Sequence, residues 1–258
     1  MESNDLNKRV IAIFSNIFYP VLALAIVLAV WAIASRAYNK PILLPEPGIV
    51  LKTFFNLFGE KYFWINMGYS FLRTIICFSI SFIIAILLAS LGNVWKPINK
   101  VLAPIILIIR AVPTVAVILV FYAFMANKTL AIVVGFLISF PVLYSAFYSA
   151  IENVDKDLLE MAKIYKVRPI DKIFSIYFPT ITPILFDMSK STLSLTFKVI
   201  VAAEILTAIP QSIGERIKFE SNLFDMPYLL AWTISSIVLA FVLEGIVALF
   251  KYSWRKTR

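Results

Sequence analysis

Long apolar runs separated by short polar loops set the pattern of this chain. Residues 10–35 carry no charge, and comparable runs follow at about 70–91, 111–127, 130–150, 183–206 and 229–250. A helix needs about 17–25 apolar residues to cross the hydrocarbon core, so the pattern predicts six membrane spans. Lys8 and Arg9 precede the first span, Trp31 and Arg36 close it, and Pro20 marks a kink or its true start. Ala32-Ile33-Ala34 has the look of a signal-peptidase site. A cleaved signal, however, has an apolar core of only about 7–15 residues, which favours an uncleaved span.

Between the first two spans, Pro41, Pro45 and Pro47 open the longest loop. Val50, Phe54, Leu57 and Phe58 then recur at helical spacing opposite Lys52, Asn56, Glu60 and Lys61. That is an amphipathic helix, either lying on the membrane surface or packed on the bundle. In the second span Ser81, Ala85 and Ala89 repeat every four residues, the spacing of small residues that lets helix backbones approach in lipid. A basic loop from Lys96 to Lys100 leads to Arg110 and Pro113 at the start of the third span, and Asn127-Lys128-Thr129 predicts a tight turn.

Residues 151–178 break this pattern, because charges return densely there. Asp155 suits an N-cap, and Leu158, Met161, Ala162 and Tyr165 share one face of the helix after it. Pro169 starts a second short helix with Ile170, Ile173, Phe174 and Tyr177 on one face, ended by Pro179. A folded helical hairpin is predicted rather than a linker.

Composition agrees with lipid as the solvent. Of 258 residues 61% are apolar and 15% charged, against about 45–50% and about 25% in a soluble domain. The lone Cys77 allows no intrachain disulfide or Cys-based metal site, and the absence of histidine removes the commonest general base. No Gly-rich phosphate loop appears among the seven glycines, so a nucleotide would have to be bound by another chain. The formal charge of +9 does not point to nucleic acid here. With six spans, Lys and Arg divide thirteen to seven in favour of the side holding both termini and the 151–178 loop. The positive-inside rule puts that side in the cytoplasm.

The fifth span carries the chemistry. At about 100° per residue, Asp187, Ser191, Ser194 and Lys198 fall in a strip of roughly 60°, with Lys190 at its edge. Charges at membrane depth tend to face a bundle interior or a wet path. Two readings follow: a helix lining a substrate route, or structural pairs of Asp187 with Lys190 and of Lys198 with Glu204 or Glu244. Nothing supports catalysis, since no nucleophile–base set or metal cluster occurs. A secondary ion-coupled transporter and a non-transporting scaffold or sensor subunit are the competing classes.

Glu160-Met161-Ala162, then Lys166, then Ile176 and Pro179 resemble the EAA loop of permeases in binding-protein-dependent ABC importers. That motif runs Glu-Ala-Ala, three residues, Gly, and later an apolar residue and Pro. Met161 replaces the middle Ala, and Lys166 stands at the Gly position, where a positive φ would be strained. Leu44-Pro45-Glu46-Pro47, Arg110-Ala111-Val112-Pro113, Ala203-Glu204, Ile213-Gly214 and Trp254 are similar to the nitrate/sulfonate/taurine branch. Its usual Phe-Gly after the third span reads Phe124-Met125. The resemblance implies an all-α, MetI-like type I permease in the bacterial cytoplasmic membrane. It also implies a second permease copy (homodimer or heterodimer), an extracytoplasmic solute-binding protein and two cytoplasmic ATPase subunits. ATP and magnesium would be bound by those ATPases, leaving this chain without a cofactor. The ATPase-coupling residues it implies are Asp155, Leu158, Glu160, Met161, Ala162, Tyr165, Lys166 and Pro179. The candidate translocation path is Asp187, Lys190, Ser191, Ser194, Lys198 and Glu204.

Overall fold

A computed structural model describes residues 2–125 and 129–256, without the side chains of 2–17 and 255. The expected basic flank at Lys8 and Arg9, the turn residues Asn127 and Lys128, and Arg255 and Arg258 of the tail lie outside that description. Every regular element among the described residues is helical. Among the described residues four helices are long and apolar enough to cross a membrane: α1 (Glu2–Tyr38, its segment from Phe18), α3 (Lys61–Val94), α6 (Leu130–Glu152) and α11 (Met226–Lys256).

The remaining apolar run departs from the expected pattern. Where a basic loop and a span over 111–127 are expected, α4 (Lys96–Ala111) meets α5 (Thr114–Phe124) at 96°. Counted as one broken span, the pair makes a fifth crossing element. The break has a local cause: Val112 is extended (ψ 132°) ahead of Pro113, and a residue before proline is disfavoured in the helical region. At 11 residues α5 reaches about 16 Å, about half the hydrocarbon core. α9 (Phe178–Thr207) would reach about 45 Å, but four charged residues set it apart in composition.

α3 begins at Lys61 rather than near residue 70, because the buried face runs on through Phe63, Asn66 and Ser70. It is the central staff of the bundle, packed on α6 and α9. Ser81, Ala85 and Ala89 are fully buried on its inner face, as close backbone approach requires. Gly135 on α6 serves the same contact, since a Cβ there would lie 2.7 Å from the Cys77 sulfur.

α2 (Pro47–Leu57) packs on α11, with Val50, Phe54 and Leu57 buried, so the bundle-packed alternative describes it. Its start is set by Pro47 at the first turn, where a missing N–H costs no bond. α1 stands largely apart. Only 6% of its apolar segment is buried within the chain. Trp31 Nε1 donates to the Pro45 carbonyl at 3.1 Å and the Ser35 hydroxyl to the Leu44 carbonyl at 2.8 Å. α7 (Lys156–Ile164) and α8 (Pro169–Lys172) form the hairpin between α6 and α9, and α10 (Ile213–Leu223) caps the opposite end of α9.

Candidate coupling hairpin and the polar face of α9

The hairpin is closed at both ends of α7. The Asp155 carboxylate accepts the Asp157 N–H at 2.9 Å, the N-cap expected from sequence. At the other end Lys166 adopts φ 51°, the left-handed conformation that favours glycine. Its N–H bonds the Lys163 carbonyl (3.1 Å), and the Val167 N–H reaches back to the Ala162 carbonyl (2.9 Å). These two bonds make a Schellman closure. The turn of the family motif is therefore kept with lysine in the glycine position.

The apolar residues of α7 divide between two faces. Ala162 is 3% exposed. Leu159 packs toward Ala150, Val154 and Ile181, which brings the hairpin against α6 and α9. Leu158, Met161 and Tyr165 are exposed, Tyr165 by 76%. Ala162 is thus buried, unlike the outward residues with which its spacing groups it. Glu160 is exposed beside that outward face. Pro179 does not end a helix. It lies in the first turn of α9, directly after a π-turn over Ile173–Tyr177 in which the Phe178 N–H bonds the Ile173 carbonyl. With no N–H at 179 the regular ladder is interrupted, and a widened turn accommodates the ring.

Along α9 the pairings expected from sequence are replaced. Asp187 pairs with Lys251 and Lys190 with Glu244 at 3.6 Å, both across to α11. The order of these contacts shows that α9 and α11 run antiparallel, which brings unlike charges of the two helices side by side. Glu204 is six residues from Lys198, roughly 120° around the helix, so the two cannot meet. Lys198 makes no ion pair among the described residues and is exposed, as are Asp187, Lys190 and Ser191. Ser194 is buried, and Ser191 donates to the Met188 carbonyl at 3.1 Å.

Glu204 belongs to a separate buried cluster that the sequence reading missed. Its carboxylate, 0% exposed, accepts from Arg73 Nη1 at 2.8 Å, from the Ser70 hydroxyl at 2.8 Å and from the Gly214 N–H at 3.3 Å. Arg73 also donates to the carbonyls of Pro210 and Gln211, at 3.1 and 3.2 Å, and Ser70 accepts the Ile213 N–H at 3.0 Å. α3, the end of α9 and the start of α10 are thereby joined through one carboxylate and one guanidinium. Any side chain at Gly214 would collide with Glu204, since a Cβ there would be 2.4 Å from that residue's Cβ. Arg73 was the available signal: a lone charge inside an apolar run requires a buried partner.

The architecture and the hairpin together define a multi-pass, all-helical membrane permease. Residues 81–256 match the family described as binding-protein-dependent transport system inner membrane component, and the chain belongs to that family. The nitrate import permease protein NrtB of Synechocystis sp. is 27% identical over 243 residues, covering 91% of this chain and 85% of the relative. The putative aliphatic sulfonates transport permease protein SsuC of Escherichia coli is 27% identical over 187 residues, 70% of each chain. Among solved structures, an inward-facing conformation of the MetNI methionine ABC transporter matches with a TM-score of 0.62 at 12% identity. That match covers 73% of this chain and 94% of the other, and it shows a shared fold. The chain is accordingly an ABC importer permease subunit of the inner membrane, in a family of transport components rather than of enzymes.

Proposed function

We propose that this subunit forms the path by which a small solute enters the cell, by alternating access driven by a separate ATPase. The solute is an organic or inorganic anion, or a vitamin precursor. The ATPase docks on α7, an extracytoplasmic binding protein delivers the solute, and a second permease copy completes the path. Both termini and the hairpin face the cytoplasm. The observation that carries this reading is the doubly capped α7, which packs Leu159 toward Ala150, Val154 and Ile181 while presenting Leu158, Met161 and Tyr165 outward. A push on such an element is delivered directly to the helices beneath it.

Reconstitution of the chain with its ATPase and binding protein tests the reading. ATP-dependent uptake into proteoliposomes is expected, unaffected by collapse of ion gradients. Met161→Glu and Tyr165→Glu place charge on the outward face without filling the buried side. Each is expected to lower ATPase copurification at least tenfold while the protein stays inserted. Normal capture by both variants, or uptake driven by an ion gradient alone, would remove the proposal.

A further inference from the structure

We infer that Lys198 is an anion-binding residue of the path, a point of direct contact with the charged group of the solute. The inference rests on the functional reading above and adds the ligating residue and the charge it recognises. Lys198 lies nine residues before the end of α9 at Thr207, about 14 Å below it. Its stem reaches only about 6 Å from the backbone by bond lengths, too short to bring the ammonium to that end of the helix.

Every carboxylate that α9 and α11 could offer is already engaged. Glu204 is held by Arg73 on the far side of α9, Glu244 by Lys190, and Asp187 by Lys251. Its flanks are closed, since Phe197, Val199 and Ile200 are buried. The face on which it stands is not a lipid face by composition, because Asp187, Lys190 and Ser191 are exposed along it. With α9 as a wall of the path, an ammonium this far from the helix end and without a counter-charge is costly, and a passing anion supplies one for the time it is bound. A single lysine suits this task. As a compact, hydrated point charge it attracts small anions of different shapes and releases them more readily than a bidentate guanidinium would.

The probes are labelled nitrate and labelled ethanesulfonate, taken up by proteoliposomes holding the permease, its ATPase and its binding protein. Lys198→Met is expected to lower uptake of a transported anion at least tenfold. Lys198→Arg is expected to retain anion uptake but release the anion more slowly. In Lys198→Cys, treatment with aminoethyl methanethiosulfonate places an ammonium near the original position, and uptake is expected to return. Uptake by Lys198→Met within twofold of wild type overturns the anion site alone. A wild-type complex that couples ATP hydrolysis to its binding protein and takes up an uncharged or cationic solute but neither anion overturns the anion reading of the solute, and the site with it.

Discussion

Lys166 shows how a single residue can keep a turn while departing from the residue expected there. Holding lysine at φ 51° costs about 1 kcal/mol relative to glycine, because its Cβ crowds the backbone. The two Schellman bonds hold it there. Lys166→Gly is therefore expected to slow amide exchange across α7 about fivefold, the equivalent of about 1 kcal/mol, with coupling to the ATPase retained. Unchanged exchange would mean that the turn is fixed by its neighbours and carries no strain. Ala162 teaches the complementary lesson. Its spacing groups it with Leu158 and Met161, yet on a nine-residue helix a rotation of one position decides which apolar residues face inward. Sequence periodicity finds the apolar set but not the side on which the rest of the chain lies.

At the scale of elements, the joint between α3, α9 and α10 makes the most demanding claim. Removing one partner of a buried ion pair strands the other charge, which typically costs about 3–5 kcal/mol. Arg73→Met is expected to lower resistance to denaturing detergent by an amount in that range. The double variant Arg73→Met with Glu204→Met should recover most of it, since no charge is then left alone. Equal losses in the single and double variants would show that the pair is not the source of stability. α10 offers a pH-dependent counterpart outside the membrane spans. Burial, and then the neighbouring Asp225 carboxylate, raise the Glu220 carboxyl above its usual 4.5, while Arg216 opposes them. Between 4.5 and the raised value the unfolded segment releases its proton while the folded one keeps it. Protection of α10 is therefore largest at acid pH and is lost as the pH rises through that window. Corrected amide exchange in α10 should show this decline, and Glu220→Gln should abolish it and leave α10 better protected at neutral pH.

For the whole molecule, the charge balance predicts sidedness. Cysteines placed at Lys163 in α7 and at Asn222 in α10 are expected to react with an impermeant reagent from opposite faces of the membrane. Labelling from the same face would contradict the arrangement of spans. The apolar runs that became α1, α3, α6 and α11 were legible because each exceeds the membrane thickness on hydropathy alone. The α4–α5 break was not, because α4 mixes charge with apolar residues and its apolar run joins that of α5 across Pro113. The hairpin was legible from the return of charge and from Asp155. The partners of Asp187, Lys190 and Glu204 were not, since each is chosen by packing between helices 54 to 131 residues apart in the chain.

The link between Arg73 and Glu204 also sets a timetable for synthesis. The two residues are 131 positions apart, and translation at about 5–20 residues per second separates them by about 7–26 seconds. Throughout that interval α3 holds a guanidinium whose carboxylate has not yet been made, and an uncompensated charge on a membrane helix is costly. The apolar residues on either side, Phe71, Leu72, Ile75 and Ile76 among them, carry the helix in ahead of its partner. A ribosome stalled before residue 204 would thus hold a half-made protein with an unclaimed charge.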